Sequence, residues 1–239
     1  MQLQPLPWDS QFLGYPVARI VGAAELPAAT VLRRRLSAQG IRLAYWSGSA
    51  LQPGLQDCFV VSQLELRANL AEQTPGRTSP AADLPLKFYD VYGRATAELQ
   101  QLAQLAGWGS RFRLDHGFAA EICDRLYTVW LDRSCSKEIA DRVLVAQLGN
   151  DLAGFVTLRL TAPQARIGLL AVAASLQGCG IGRGLLLQAL QVARAAGCHE
   201  LSVVTQQQNQ AAVRLYEAVG FQQAELLHWY HIRTQEQSA

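Results

Sequence analysis

At 239 residues, half of them apolar, the chain can bury a large core, either as one big α/β domain or as a domain with a smaller module. Its formal net charge is +2 and 17% of its residues are charged, against roughly 25% in an average globular protein, which argues against a polyanion binder and predicts no nucleic-acid partner. Five cysteines without a CxxC pair form neither a disulfide framework nor a zinc pattern. There is no basic leader, and the longest apolar run, Ile167 to Leu176, is about half the roughly 20 residues of a membrane span. A cytoplasmic protein without membrane attachment is expected.

In chain order, the first segments read as short α/β units. Val17 to Val21 alternates as a strand, Ala28 to Gln39 has helical periodicity, and Ile41 to Trp46 and Phe59 to Leu66 read as strands. Ala71 to Pro85 is rich in Pro, Ser, Thr and Gly and poor in core formers, which places a boundary between a smaller N-terminal α/β lobe (1–80) and a main domain (84–239). The main domain opens with a strand, Leu86 to Val91, a helix, Thr96 to Ala106, a polar loop, Gly107 to Gly117, and a second helix, Phe118 to Cys135. Three extended segments follow, Val143 to Gln147, Phe155 to Leu160 and Arg166 to Val172, with a hairpin turn at Gly149-Asn150. The order then alternates. A helix from Arg183 to Ala196 ends at Gly197, a strand spans Glu200 to Val204, a helix from Gln210 to Val219 ends at Gly220, and Phe221 to Ile232 closes as a long strand or hairpin arm.

The most informative stretch is an apolar strand that passes through Gln177-Gly178-Cys179-Gly180-Ile181-Gly182-Arg183-Gly184 directly into an amphipathic helix. A diphosphate needs several backbone N–H donors converging on it. Glycine removes the side chains that would block the approach, and the following helix adds its positive end. Arg183 can add a charge-assisted bond. A dinucleotide fingerprint, Gly-x-Gly-x-x-Gly, fails in both registers, because its last position is Leu185 or Arg183, and the Gly-Lys-Ser/Thr of phosphate-loop NTPases is missing. Further on, Asn209 suits the N-cap of the helix that follows it. Tyr216 lies seven residues later, which returns to nearly the same helix face about 10 Å along the axis, so the two can address one extended ligand.

Gln177-x-x-Gly180-x-Gly182, together with Asn209-x-x-Ala212-x-x-x-Tyr216-x-x-x-Gly220-Phe221, resembles the cofactor motifs of the GNAT N-acetyltransferases. The resemblance implies an α/β GNAT (acyl-CoA N-acyltransferase) fold with a central mixed, twisted sheet splayed at the cofactor site. It implies acetyl-CoA as the acetyl donor, no metal, and direct attack of a primary amine on the thioester. The backbone of Leu170, Ala171 and Val172 would lie along the pantetheine arm, and Gln177 to Gly184 would hold the pyrophosphate, Gly178, Cys179 and Ile181 included. Asn209 would touch the arm, and Tyr216 would face the sulfur as the catalytic residue. Cys179 has no histidine paired with it in sequence and is not expected to be a nucleophile. Asp115, Glu121 and Asp124 are candidate bases, with water as an alternative. His228 and His231, three apart on a strand, point to opposite faces and do not share a metal.

The acceptor amine is addressed in this fold by the loop between the first two helices. Here Arg111 and Arg113 flank Phe112, a pattern able to hold a diphosphate and stack a base or sugar, or simply a solvated loop. Ser110 to Arg113 with Tyr127 and Trp130, Leu6-Pro7-Trp8-Asp9 with Phe12 and Gly14, and Ala165 to Leu170 resemble the branch of the family that acetylates TDP-linked amino sugars. That resemblance implies a small-molecule amine partner, the 4-amino group of a nucleotide-linked 4,6-dideoxy sugar, with Arg111 and Arg113 on its diphosphate. Other small amines, a protein N-terminus, and a non-catalytic CoA sensor are the alternatives, and a homodimer is compatible with all of them.

Overall fold

The computed structural model describes residues 1–71 and 86–234. The chain divides into two compact units, one made of Met1–Gln63, Leu114–Gly117 and the residues from Glu225 onward, the other of Leu64–Arg113 and Phe118–Ala224. The units are interleaved in sequence, whereas the expected lobes are continuous. The expected cut between residues 80 and 84, with most of the segment from Ala71 to Pro85, lies outside the described residues.

In the first unit, β1 (Gln2–Pro5) and β2 (Val17–Val21) pair antiparallel, with Gln2 opposite Val21. Strand β3 (Leu43–Gly48) runs parallel to β2 and antiparallel to β10 (Gln222–Arg233), with Tyr45 opposite His231. The first residues of β4 (Phe59–Asn69) follow β10 in the order. Helix α1 (Pro7–Leu13) and strand β1 are additions to the predicted elements. Pro7 is preorganised for a first helical turn, the Ser10 hydroxyl donates to the Leu6 carbonyl at 2.8 Å, and Gly14 closes the helix at φ +78°. Helix α2 (Ala29–Ala38) buries Leu32 and Leu36, four apart on one face, against a core of Trp46, Leu55, Tyr230 and Ile232.

In the second unit the order is the predicted one: β5 (Leu86–Asp90), α3 (Ala97–Ala106), α5 (Ala120–Cys135), β6 (Arg142–Leu148), β7 (Asp151–Thr161), β8 (Gln164–Val172), α6 (Ile181–Ala195), β9 (Glu200–Gln206) and α7 (Gln210–Ala218). The expected polar loop contains one helical turn, α4 (Arg111–Leu114). Strands run in the order β4-β9-β8-β7-β6-β5, antiparallel from β5 to β8 and parallel between β8 and β9, so the sheet is mixed. Every residue from Ala153 to Leu158 is buried, so β7 is covered on both faces. Both α3 and α6 pack against β7 and β8. The Thr96 hydroxyl caps α3 by accepting from the Leu99 N–H at 3.3 Å, and α6 buries a stripe through Ile181, Leu185, Ala189 and Ala193. Gly197 and Gly220 follow α6 and α7 at φ +76° and +95°, the left-handed closures their spacing predicts. The Gly149-Asn150 turn closes β6 on β7 with Leu148 opposite Asp151. Among the described residues no helix is long and apolar enough to cross a membrane.

Candidate active site

Strands β8 and β9 pair only through Gln164–Arg166 against Glu200–Ser202, although β8 continues to Val172 and β9 to Gln206. The sheet opens from Ile167 onward, as the family resemblance implies. A bulge sits at the opening. Val156 faces Leu170 and Leu158 faces Ile167, so Gly168 and Leu169 together oppose Thr157. The buried Thr157 hydroxyl accepts the Leu169 N–H at 2.8 Å, which satisfies a group displaced from the ladder, and a Cβ on Gly168 would lie 2.8 Å from that same oxygen. Leu170, Ala171 and Val172 pair with β7 on one side and present an unpaired edge to the gap on the other.

Gly154 on β7 lies opposite Val172, and a Cβ there would sit 2.7 Å from the Ala171 carbonyl oxygen and 3.3 Å from the Val172 Cα. The sequence reading passed over this residue, although an interior strand glycine is itself a signal of close backbone approach. Gly154→Ala must push β8 where it borders the gap. A stability loss of about 1–3 kcal/mol in chemical denaturation is expected, with weaker CoA binding by calorimetry. Unchanged stability would show that β8 yields without cost.

Past Val172 the chain makes a 3-10 turn at Ala174–Leu176, and Gln177 Nε2 then donates back to the Val172 carbonyl at 3.3 Å, bracing the loop on its strand. Gly178 and Gly180 have φ of +79° and +83°, where other residues are strained. Helix α6 begins at Ile181 rather than Arg183, because Gly180 takes the cap position. Its first intrahelical bond runs from the Gly184 N–H to the Gly180 carbonyl at 3.0 Å, so the N–H groups of Ile181, Gly182 and Arg183 have no intrahelical acceptor. Arg183 Nε is buried and makes no hydrogen bond to any described residue. An orphaned donor beside three outward N–H groups suits the diphosphate of acetyl-CoA. Gly182 and Gly184 are buried and serve packing. The Cβ position of Gly182 lies 3.0 Å from Leu215 Cδ2 and 3.6 Å from Val172 Cγ2, so the end of β8, the first turn of α6 and α7 meet there. Cys179 is exposed, with its thiol 3.8 Å from the Gln177 carbonyl.

On α7, the Asn209 side-chain oxygen accepts from the Ala212 N–H at 3.2 Å, so its N-cap role is realised. Tyr216 is 5% exposed, its ring tilted against Phe221 at 5.6 Å, and burial pushes its phenol well above the ordinary 10. A phenol so placed stays neutral and can donate a hydrogen bond, while burial makes full proton transfer from it harder still than from an ordinary phenol.

On the acceptor side the structure corrects one expectation. Phe112 is 6% exposed, packed 5.7 Å from both Phe118 and Trp130, so it cannot stack a base. Arg111 lies over the Phe112 ring at 4.6 Å. Arg113 is ion-paired with Asp124, donates to the Ala120 carbonyl at 3.3 Å, and stands 5.8 Å from the Trp108 ring. Asp124 is therefore committed to a cation. Asp115 is a poor base. In the first unit its buried carboxylate accepts from His231 Nδ1 at 2.5 Å, Arg233 at 2.8 Å and the Gly117 N–H at 2.9 Å. Burial alone would raise its pKa, but the His231 hydrogen bond and charge, Arg233 and the Gly117 N–H together hold it below the ordinary value. Glu121 is exposed. His228 meets the Ser62 hydroxyl at 2.9 Å and His231 meets Asp115, so the two histidines do face apart.

Comparison with known proteins extends this picture. The chain is 29% identical over 238 residues to the dTDP-fucosamine acetyltransferase of Escherichia coli O6:H1, covering 96% of this chain and 97% of that protein. It is 32% identical over 120 residues to the uncharacterized N-acetyltransferase YvbK of Bacillus subtilis, covering 47% of this chain and 77% of that one. Among solved structures, the tandem GNAT protein from the clavulanic acid biosynthesis pathway superposes with a TM-score of 0.54 at 15% identity, over 94% of this chain and 77% of that chain. A GNAT-family structure from Novosphingobium aromaticivorans gives 0.52 at 14% identity, over 92% and 88%. Such low identities speak for the fold. The acetyltransferase (GNAT) family model matches residues 105–221, just under half of the chain, and over that span, which takes in the opened strands, the glycine loop and Tyr216, the chain is similar to the GNAT acetyltransferases.

Proposed function

We propose that the protein, acting in the cytoplasm, moves acetyl from acetyl-CoA to the 4-amino group of a nucleotide-linked 4,6-dideoxy sugar. The observation that carries this reading is the similarity to the dTDP-fucosamine acetyltransferase over 96% of the chain, which reaches well beyond the segment the family model matches. Acetyl-CoA supplies an activated acetyl thioester. The open edge of β8 at Leu170, Ala171 and Val172 lies along its arm, and the N–H groups of Ile181, Gly182 and Arg183 with the Arg183 side chain hold its diphosphate. Asn209 spends its side-chain oxygen on the cap, which leaves its NH2 for the arm. Tyr216 donates a hydrogen bond to the leaving sulfur. With Asp115 and Asp124 tied up by cations and Glu121 exposed to solvent, the proton of the attacking amine passes to water. Arg111 and Arg113 face the diphosphate of the sugar nucleotide.

Thiol release from acetyl-CoA tests the reading with a TDP-linked 4-amino-4,6-dideoxy sugar, a polyamine and an N-terminal peptide as acceptors. The sugar nucleotide is expected to exceed the other amines in kcat/KM by about 10²-fold or more. Equal rates with all three would remove the assigned acceptor, and CoA binding without release from any amine would make the protein a sensor.

A further inference from the structure

Trp108 is 72% exposed, the most open large apolar side chain among the described residues, in the turn directly after α3. An indole left in water forfeits the free energy its burial would return, part of which a ring stacked on it would recover. The turn that carries it is held firmly. The Trp108 N–H donates to the Leu105 carbonyl at 3.2 Å and the Ser110 N–H to the Gly107 carbonyl at 3.0 Å. Gly107 lies flat on Tyr127, where a Cβ would come within 2.5 Å of the ring. Gly109 touches the far end of β9, its Cβ position 3.8 Å from Gln206 Oε1, at the mouth of the gap between β8 and β9. Arg113 stands 5.8 Å from the indole centroid, oriented by Asp124.

We infer that Trp108 is the platform on which the nucleobase of the acceptor stacks, with Arg113 beside it for the diphosphate, together a nucleoside diphosphate subsite. The inference rests on the proposed nucleotide-linked acceptor. Arg113 lies over one face of the indole, and an exposed aromatic ring with a cation against it matches the way a nucleoside diphosphate presents base and charge, the base taking the opposite face. Phe112, the aromatic between the two arginines in sequence, is inside the unit and leaves this task to Trp108.

Calorimetric titration of the full-length protein with TDP, UDP and GDP tests this, with inorganic pyrophosphate and CoA as controls. Trp108→Ala is expected to weaken binding of the preferred nucleoside diphosphate about tenfold and Trp108→Phe to restore most of it. Pyrophosphate affinity, CoA affinity and melting temperature should stay at wild-type values. Equal nucleoside diphosphate affinity in wild type and Trp108→Ala would overturn the role of Trp108 while leaving the nucleotide-linked acceptor standing. Failure of the wild type to bind any of the three would overturn both. A halved apparent mass for Trp108→Ala in size exclusion, with nucleotide affinity intact, would assign the indole to a contact between two copies and overturn the subsite.

Discussion

Tyr216→Phe is expected to lower kcat about 10²-fold while the KM for acetyl-CoA changes by less than about twofold. The substitution removes one hydroxyl and keeps the ring, so the packing against Phe221 survives and the fold is not at stake. A group that assists only as charge gathers on the departing sulfur affects turnover and not ground-state binding. Burial fixes what kind of assistance this is. A thiol has an ordinary pKa of about 8.5, and the Tyr216 phenol is pushed above its ordinary 10, so handing over the proton is uphill while a hydrogen bond is not. The same shift predicts the pH profile. Ionisation of Tyr216 would remove the donor, and because its pKa is raised, any fall in kcat from this cause lies above pH 10. Thiol release at saturating acetyl-CoA across the alkaline range reads both effects. Undiminished turnover in the variant, with an acceptor that the wild type uses, would reduce Tyr216 to a packing residue.

Local signals and legibility went together in this chain. The glycine loop was readable because strand, turn and helix follow one another without interruption, and Gly178 and Gly180 do adopt the positive φ that made glycine informative. The helices α3, α6 and α7 announced themselves through apolar periodicity and capping residues. Helix α1 did not, because none of its residues is buried and it leaves no stripe to detect. The bulge that opens the sheet is half legible. Gly168 is visible, but its partner Thr157 is on another strand and is chosen by register. The acceptor side was the hardest to read. Whether Phe112 or Trp108 faces water is decided by packing on Phe118 and Trp130, and the partner of Arg113 lies eleven residues away. Asp115 sits in a polar run that looks solvated, and its buried partner is 116 residues further on.

Asp115→Ala is expected to cost about 3–5 kcal/mol of folding stability, read from the denaturant midpoint at constant m. The carboxylate, 8% exposed, serves three partners at once, and its removal takes a shared acceptor from the Arg233 cation, the His231 ring N–H and the Gly117 amide. Asp115→Asn keeps the shape and one acceptor oxygen and should cost about 1–3 kcal/mol. The two variants separate charge from geometry through pH. In the folded protein the His231 hydrogen bond and charge, Arg233 and the Gly117 N–H outweigh burial and lower the Asp115 pKa, so the unfolded chain binds its proton more tightly. The charge contribution is then complete above the unfolded value of about 4 and is lost as pH falls through the lower folded value. The stability gap between wild type and Asp115→Asn should be full at pH 7 and shrink below about pH 4. A gap of equal size at both ends would mean that Asp115 is not an anion in the native state, and that His231 and Arg233 are held by geometry alone.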